Sequence, residues 1–466
     1  MSRGLRHPLV AVLVAVSLTA PWVVSWATGA AGGYAPLTTV SVAGLAVLGA
    51  SFLLAWGAET AEKDVPRAFA LAVLAVLAVA PEYAVDALYA WQAGAGDAAA
   101  GNLAVANMTG ANRILIGIGW SGIALFSIAR MRRSSTADAD AGSVTADADT
   151  GSVTPDADTG GATGNYVQLD PGIATEILFL FAATVYAFFV PLGGGIGALD
   201  TLILVGLYAT YIAVIIRGDV DEEEEQVGVP AYLQQWNTRP RVSAVLSLFV
   251  YSGFLIFTAV EPFAHGLEEL GLQLGIPEFF MIQWIAPLAS ESPELIVTAY
   301  LVNKARSTAA FNALISSKLN QWTLLIGTLA VVYSISAGQY GVLQFDVKQA
   351  AEIWLTAAQS FFALAVLVNF RISAVEAVTI LVLFVSQVAV EFVIIQTIGE
   401  TAATTIAGFE ATYSIWLLLA YSVVYIAATV LLLALRRDDF ERLTRLTVAA
   451  IRGETEPAAA DGGRRE

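Results

Sequence analysis

Two Pro-Glu pairs, Pro81-Glu82 and Pro293-Glu294, stand within sequence that is otherwise apolar enough to lie in a membrane. An ionisable side chain in hydrocarbon is energetically unfavourable, so it usually faces a cavity or a partner and has a function. Proline removes a backbone donor and clashes with the preceding turn, so we expect a helix break just ahead of each glutamate. Carbonyls freed beside a carboxylate would provide the oxygen ligands that a hard cation requires.

Further oxygen-bearing side chains lie at helical spacing from these glutamates. Asp86 follows Glu82 by four residues and therefore shares its helix face. Ser290 and Glu291 precede Glu294 by about one turn. The helices that come next carry amides and hydroxyls, at Asn107, Thr109 and Asn112 in the first segment and at Asn312, Ser316, Ser317 and Asn320 in the second. Together these side chains form a candidate cation site.

A basic residue accompanies the amides in each segment. Arg113 follows Asn107 by six residues, and Lys318 follows Asn312 by six. Six residues turn a helix through about 240°, so we expect both cations to point away from the face of the amides. The alternative is that a Pro-Glu carboxylate pairs with Arg113 or Lys318 and serves packing only.

Other acids in or beside the apolar runs have a simpler interpretation. Six of them lie near predicted helix ends and are expected at the membrane interface: Glu59, Glu176, Asp200, Glu261, Glu352 and Glu376. Glu391 lies deeper, where it could pair with Lys318 or Arg113.

The composition indicates a polytopic helical membrane protein. Of 466 residues, 57% are apolar and 14% charged, and the mean hydropathy is +0.69, far above that of ordinary soluble domains. There is no cysteine and there are only two histidines, so thiolate catalysis, disulfides and multi-histidine metal sites are excluded. The net charge of −17 argues against nucleic acid as a partner.

Apolar runs of about 20 residues predict twelve membrane-spanning helices. The runs are residues 8–27, 37–57, 68–91, 101–130, 172–191, 198–216, 242–262, 274–301, 308–336, 348–369, 374–397 and 412–435. With a cytoplasmic N-terminus, all but three of the 23 lysines and arginines fall on the cytoplasmic side. The exceptions are Arg113 and Lys318 within the membrane and Lys348 outside it. Both termini are therefore predicted to be cytoplasmic, although the first run also resembles a signal peptide.

The acidic residues concentrate in connecting segments. Residues 132–170 contain a nine-residue near-repeat, TADADAGSV, TADADTGSV and TPDADTGGA, which is predicted to be a disordered linker. It lacks the glycine-framed spacing of a calcium loop. The predicted organisation is an N-terminal helix in 1–36, a first repeat in 37–217, an acidic cytoplasmic loop in 218–241, a second repeat in 242–397, and a C-terminal helix and tail in 398–466.

Each predicted repeat contains five helices, with the Pro-Glu pair on the second helix and the amides on the third. Because five is an odd number, the two repeats enter the membrane from opposite sides. The fold class is therefore predicted to be all-α, with an inverted 5+5 repeat and one extra helix at each end. Interrupted segments at corresponding places in two inverted halves are typical of a transporter binding site.

These two segments resemble the alpha-repeats of the cation/calcium exchanger superfamily, of the sodium/calcium exchanger type. The second repeat carries ASESPELIVTA and then FNALISSKLNQW; the first carries APEYAVDALYA and then ANMTGANRIL. The resemblance covers residues 37–397 and implies a ten-helix core that exchanges sodium for calcium by alternating access. It implies that Glu82 and Glu294 bind the ion, helped by Ser290, Asn107, Asn112 and Asn312.

The sequence also departs from the family pattern. Ala78 and Val79 replace the hydroxyl pair expected ahead of Glu82, and Glu291 replaces one hydroxyl ahead of Glu294. The intramembrane Arg113 and Lys318 are foreign to the pattern, and Leu115 and Ile315-Ser316-Ser317 replace its later Asn and Gly-Ser-Asn elements. A fixed positive charge near the site would oppose calcium by Coulomb repulsion.

The expected function is secondary antiport at the plasma membrane, with sodium/calcium exchange as the first choice. Sodium/proton exchange is the alternative, in which Glu82, Asp86 or Glu291 would carry the proton. A receptor or structural protein is the alternative outside transport. No enzymatic activity or cofactor is expected, and the predicted partners are small inorganic cations and the lipid bilayer.

Overall fold

The computed structural model describes residues 8–65, 79–141, 165–217, 227–304, 306–406 and 408–452, without the side chains of 134–141. Most of the predicted acidic linker and part of the predicted inter-repeat loop lie outside these residues. Where the two segments are described, they differ from the prediction. A helix continues to Ala141, Tyr166–Gln168 forms a strand, and Gly228–Leu233 is a short helix.

The described chain consists of helices joined by short turns and three two-stranded ribbons. The helices before the middle of the chain are α1 (Pro8–Ala27), α2 (Pro36–Ala61), α3 (Ala80–Gly94), α4 (Ala100–Ile114), α5 (Ser121–Ala141), α6 (Ala174–Ala187) and α7 (Ala198–Arg217). Those after it are α8 (Gly228–Leu233), α9 (Thr238–Leu274), α10 (Glu278–Asn303), α11 (Ser307–Asn320), α12 (Ile326–Ser336), α13 (Val347–Leu367), α14 (Ala374–Thr397), α15 (Tyr413–Leu435) and α16 (Arg437–Arg452).

Two helices change from α to π geometry for about one turn. The π segment π1 (Leu115–Trp120) joins α4 to α5, and π2 (Gln321–Leu325) joins α11 to α12. The segments α4–π1–α5 and α11–π2–α12 therefore each form one long membrane helix with a wider turn in the middle. Single π turns of this kind occur often at functional sites, because the extra residue changes which side chains share a face.

Ten of the described helices, or helices joined through a π turn, are long and apolar enough to span a membrane. The helix α10 has 26 residues, about 39 Å at 1.5 Å per residue, but its glutamates make it more polar. The predicted span 68–91 is described only from residue 79 onward, as α3. The chain is thus a polytopic, all-α integral membrane protein, as predicted, and the two predicted spans outside the ten carry the Pro-Glu pairs.

The packing of the helices follows an inverted repeat. Helices α2 to α7 correspond in order to α9 to α14, and their contacts come in matched pairs. Helix α4 packs against α13, and the corresponding helix α11 packs against α6. In the same way, α5 packs against α14, and the corresponding helix α12 packs against α7. The corresponding helices α2 and α9 pack against each other along their length. Each repeat therefore completes its core with helices of the other.

Two short antiparallel ribbons follow the same symmetry. Strand β1 (Tyr166–Gln168), before α6, pairs with β4 (Arg371–Ser373), before α14. Strand β2 (Gly195–Ile196), before α7, pairs with β3 (Leu343–Gln344), before α13. Each ribbon joins the fourth helix of one repeat to the fifth helix of the other. Helix α6, of 14 residues, and helix α13, of 21 residues, separate the two ribbons.

The helices at the two ends of the chain pack on the outside of this core. Helix α1 packs against α2, and α15 packs against α13. The hairpin of β5 (Ala403–Ile406) and β6 (Phe409–Thr412) leads into α15. Helix α16 returns to α6, where the Thr447 hydroxyl donates to the Ala174 carbonyl at 3.1 Å. The extra helix predicted at each end is therefore present.

Helices α4 and α10, from opposite repeats, cross at Gly110. A Cβ atom at this position would overlap the backbone carbonyl oxygen of Gln283. We expect Gly110→Ala to destabilise the protein by at least ~1–3 kcal/mol, because backbone cannot move aside as a side chain can. The measurement is thermal unfolding of the purified protein in detergent.

Gly122→Ala is the matched control, since nothing lies within 4 Å of a Cβ atom at this helical glycine. It should leave the unfolding temperature unchanged or raise it slightly. Equal unfolding temperatures for the two variants would contradict the close crossing.

Candidate cation site

A buried glutamine joins the acids of the two repeats. The Gln321 side-chain amide donates to Glu82 Oε2 at 2.7 Å and to Glu291 Oε1 at 2.6 Å. Both glutamates are 2% exposed and Gln321 is fully buried. The Glu82 and Glu291 carboxyl groups also lie within hydrogen-bonding reach of each other. Acids from α3 and α10 therefore meet at one point between the repeats.

The second Pro-Glu acid joins this group through a serine. The Ser317 hydroxyl donates to Glu294 Oε1 at 3.0 Å and lies 3.3 Å from the Gln321 amide nitrogen. We call these five residues the glutamate cluster: Glu82, Glu291, Glu294, Ser317 and Gln321. In the described part of the chain, none of its three glutamates forms an ion pair within 4 Å.

The two Pro-Glu pairs sit differently in their helices. Helix α3 begins at Ala80 with Pro81 in its first turn, so Glu82 lies at a helix N-terminus as predicted. Helix α10 instead runs unbroken through Pro293, and the helix break predicted ahead of Glu294 is wrong. The Ser290 and Ser292 hydroxyls of this helix donate to the carbonyls of Pro287 and Leu288 in the preceding turn.

Gln321 was not among the predicted site residues. It is the first residue of π2 and lies one turn after Ser317, so its four-residue spacing from Ser317 could have placed both on one face. Counted from Asn312, a regular helix would instead turn it to the opposite side.

Several oxygens of the cluster have no hydrogen-bond donor. They are Glu82 Oε1, Glu291 Oε2, Glu294 Oε2 and Gln321 Oε1, all buried. Buried oxygens without donors are uncommon, and they are the atoms that coordinate a hard cation. In this conformation no three acid, histidine or cysteine side chains among the described residues are arranged to enclose a metal ion.

A further carboxyl group, that of Asp86, lies beside the cluster on the same helix as Glu82. Asp86 is fully buried, and its Oδ1 accepts from the Asn107 amide at 2.8 Å. Asp86 Oδ2 and Asn107 Oδ1 have no donor. The structure thus joins two of the candidate ligands across α3 and α4, and their contact extends the oxygen-rich region by one helical turn.

Lys318 points toward the other repeat. Its ammonium donates to the backbone carbonyl and the side-chain oxygen of Asn112, at 3.2 and 3.0 Å, and lies 5.0 Å from the Trp322 ring centroid. It is also close enough to Glu82 and Glu291 for their charges to interact. The spacing predicts that Lys318 points away from the amides of its own helix, and the structure places its ammonium on Asn112 of the opposite repeat.

Arg113, at the position corresponding to Lys318, does face away from the glutamate cluster. It forms an ion pair with Glu352 at 2.7 Å, donates to Gln359 at 3.3 Å and to Gln387, and lies 5.0 Å from the Trp284 ring centroid. Glu352 is fully buried, so its predicted interfacial position is wrong. A Pro-Glu acid paired with Arg113 is likewise not observed.

Glu391 continues this network toward the end of α13. It accepts from Gln387 and Ser414, each at 2.8 Å, and its closest cation is Lys348 at 3.5 Å. The predicted pairing of Glu391 with Lys318 or Arg113 is therefore wrong. The network links α4, α13, α14 and α15.

The remaining predicted residues lie around the cluster. Ser290 donates to the Pro287 carbonyl at 3.3 Å, and Ser316 forms a hydrogen bond with Tyr211. Asn320, which directly precedes Gln321 in the chain, is buried. The side-chain oxygen of Asn312 has no hydrogen-bond donor. These four side chains thus lie on the same helices as the cluster but outside its described hydrogen bonds.

An inverted pair of helix repeats that brings buried acids together at their interface is the architecture of a secondary transporter. The comparison with protein families agrees with this class. The chain belongs to the family described as "Sodium/calcium exchanger protein", whose model matches residues 34–217 and 244–393. The resemblance to cation/calcium exchangers is thereby confirmed, and the chain is a member of a family of membrane exchangers rather than enzymes.

Solved structures give the same fold. A structure described as "Crystal Structure of H+/Ca2+ Exchanger CAX" is 42% identical, covers 96% of this chain and 99% of its own, and has a TM-score of 0.80. The structure of native YfkE is 14% identical, covers 82% of this chain and 99% of its own, and has a TM-score of 0.54. A comparison with curated proteins gave no match.

The Arg113 network makes a prediction about stability. We expect Arg113→Met to lower the free energy of unfolding by ~3–5 kcal/mol, because it leaves Glu352 buried without its counter-charge. Thermal unfolding in detergent measures the change. The double variant Arg113→Met/Glu352→Met should recover most of the loss, since no unpaired charge remains.

Arg437→Met is the matched control. Its ion pair with Glu441 joins side chains that are 80% and 59% exposed, so little change in stability is expected. If Arg113→Met and Arg437→Met unfolded at the same temperature, the buried network would have no role in stability.

Proposed function

We propose that the protein is a secondary antiporter that moves calcium across the membrane in exchange for protons. The observation that carries the proposal is the glutamate cluster, in which Glu82, Glu291 and Glu294 lie buried between the repeats with neutral hydrogen-bond donors. Buried carboxylates without an ion-pair partner are stabilised when they bind a cation or a proton. The same acids can therefore bind either ion, but not both fully at once.

The ligand types favour calcium among metal ions. Calcium takes six to eight oxygen ligands and tolerates irregular geometry, whereas zinc and copper prefer nitrogen and sulfur. We propose that Glu82, Glu291 and Glu294 bind the ion directly, with the Ser317 hydroxyl and the Gln321 amide oxygen. Asp86, Asn107, Asn112, Asn312, Ser290, Ser316 and Asn320 are the further candidates, on the same helices.

Transport requires that the site open to one side of the membrane at a time. Glu82 belongs to the first repeat and Glu291 and Glu294 to the second, so a rocking motion of one repeat against the other changes the distance between them. We propose that this motion brings the three carboxylates around the ion and then exposes it on the opposite side. Each repeat is then one rigid half of the transporter.

Protons are favoured as the exchanged ion by the 42% identical relative, which is described as an H+/Ca2+ exchanger. Sodium/calcium exchange is the second candidate, because the family that contains the chain is named for it. Sodium/proton exchange without calcium is the third possibility for the same acids. By the distribution of basic residues, we propose that both termini are cytoplasmic and that the protein lies in the plasma membrane.

The experiment is ion flux in liposomes that contain the purified full-length protein. Under an imposed pH gradient without sodium, we expect calcium uptake, measured with a calcium indicator inside the vesicles. Glu294→Gln should reduce this uptake at least tenfold, because it removes a ligand charge from the site. Glu269→Gln, an exposed glutamate on α9, is the matched control and should transport normally.

Each other outcome identifies a different function. Calcium uptake that requires a sodium gradient would support the second candidate. A change of internal pH under a sodium gradient without calcium movement would indicate sodium/proton exchange. The absence of all three fluxes would contradict the antiporter proposal.

Gln321 provides a separate prediction. Gln321→Leu removes the amide that holds Glu82 and Glu291 together and one oxygen that faces the ion. We expect the apparent KM for calcium to rise about 10- to 100-fold, the effect of losing a hydrogen bond to a charged group. Initial rates of uptake over a range of calcium concentrations measure the change.

Gln273→Leu, at an exposed glutamine on α9, is the control for the loss of an amide. It should leave the KM unchanged. An unchanged KM in Gln321→Leu as well would place the ion away from Gln321.

A further inference from the structure

The ammonium group of Lys318 lies inside the proposed transport region but pairs with no acid there. The side chain is fully buried, and its donors go to two oxygens of Asn112 rather than to a carboxylate. In the described part of the chain it has no ion pair within 4 Å. A buried, unpaired ammonium is unfavourable, so its retention at membrane depth calls for a reason other than packing.

The cation at the corresponding position of the other repeat is explained completely by local contacts. Arg113 has Glu352, Gln359 and Gln387 as partners and forms part of a separate network. Lys318 instead keeps its charge available to the glutamate cluster, because Glu82 and Glu291 are the acids that interact with it electrostatically. The two cations therefore have different roles despite the symmetry of the fold.

The charges of the cluster and of Lys318 can be counted directly. With an ion bound, the cluster has three carboxylates, those of Glu82, Glu291 and Glu294, and Lys318 adds one ammonium. Three negative charges and one positive charge leave a net charge of minus two. Asp86, one turn from Glu82 on α3, is a further buried carboxyl of the same region, and it is unaffected by a change at position 318. The contribution of Lys318 is therefore one positive charge set against the acids of the site.

We propose that Lys318 is a built-in cation of the transport site and a determinant of its specificity. Its positive charge lowers the net negative charge that the acids of the site present to an ion. The inference rests on the proposed function, since it concerns the same site. Without the ammonium, the cluster would carry one more negative charge and would favour ions of higher charge. The Asn112 oxygens hold the ammonium beside the cluster, so it does not occupy the carboxylates itself.

Other charged groups near the cluster do not change in this comparison. Asp86 lies one turn from Glu82 on α3, and Glu59 of α2 is close enough to Glu294 for their charges to interact. Both stay the same when Lys318 is replaced. A difference between wild type and variant therefore reports the charge at position 318.

The experiment is competition between lanthanum and calcium for binding to the purified full-length protein in detergent, with radioactive calcium as the probe. We expect Lys318→Gln to shift the ratio of lanthanum to calcium affinity in favour of lanthanum by about tenfold or more, because an extra negative charge favours the trivalent ion. Lys318→Arg keeps the charge and should keep the wild-type ratio. Lys304→Gln, at an exposed lysine after α10, is the control.

The double variant Glu291→Gln/Lys318→Gln tests whether the charge at position 318, rather than the shape of its side chain, sets the affinity ratio. It removes one charge of each sign, so its ratio of lanthanum to calcium affinity should lie closer to wild type than that of Lys318→Gln, while both affinities fall because Glu291 is a proposed ligand. It remains informative if Lys318→Gln alone does not fold. The proposal is overturned if Lys318→Gln keeps the wild-type ratio, or if the double variant shows the same shift as the single one. Failure of the antiporter proposal would appear separately, as absence of calcium flux in wild-type liposomes.

Discussion

The rest of the structure depends on the desolvation of three carboxylates between the repeats. Glu82, Glu291 and Glu294 have only neutral donors, Gln321 and Ser317, within hydrogen-bonding distance. A strong ion pair in their place would hold the acids permanently and leave no reason for a cation to bind. Weak neutral donors orient the carboxylates while the negative charge remains available. The fold keeps this unfavourable arrangement because the large apolar interface between the repeats surrounds it.

Much of the fold could be predicted from the sequence. Apolar runs, the positions of basic residues and the duplicated Pro-Glu pairs were enough to predict an inverted repeat, because a membrane allows few backbone arrangements. The structure also brings Glu82, Asp86 and Asn107, which the sequence analysis named together, into one region on two regular helices. What the periodicity could not show was contact between helices. Glu352 is near a helix end in sequence but buried by Arg113, which comes from a different repeat.

The errors in the site have the same physical origin. A helical wheel describes a single helix with 3.6 residues per turn. It places Gln321 on the face of Ser317 but opposite Asn312, and it does not show which of these faces meets the glutamates. The regular geometry also ends at Gln321, where π2 begins. A helical wheel also gives the direction in which a side chain points, but not the residues of other helices in that direction. It therefore could not show that Lys318 reaches Asn112. Pro293 was expected to break α10, yet the helix continues through it from Glu278 to Asn303. Each case depends on neighbours that a single sequence does not specify.

Two consecutive residues of α4 show how the symmetric fold separates binding from anchoring. Asn112 accepts from Lys318 of α11, whereas Arg113, about 100° further around the helix, is held by α13 and α14. The anchoring network contains Arg113, Glu352, Lys348 and Glu391, whose charges balance, so it needs no transported ion to be stable. The glutamate cluster has no such balance. The Arg113 network, whose charges balance without an ion, can therefore hold α4 in place, while the glutamate cluster responds to the ion that binds.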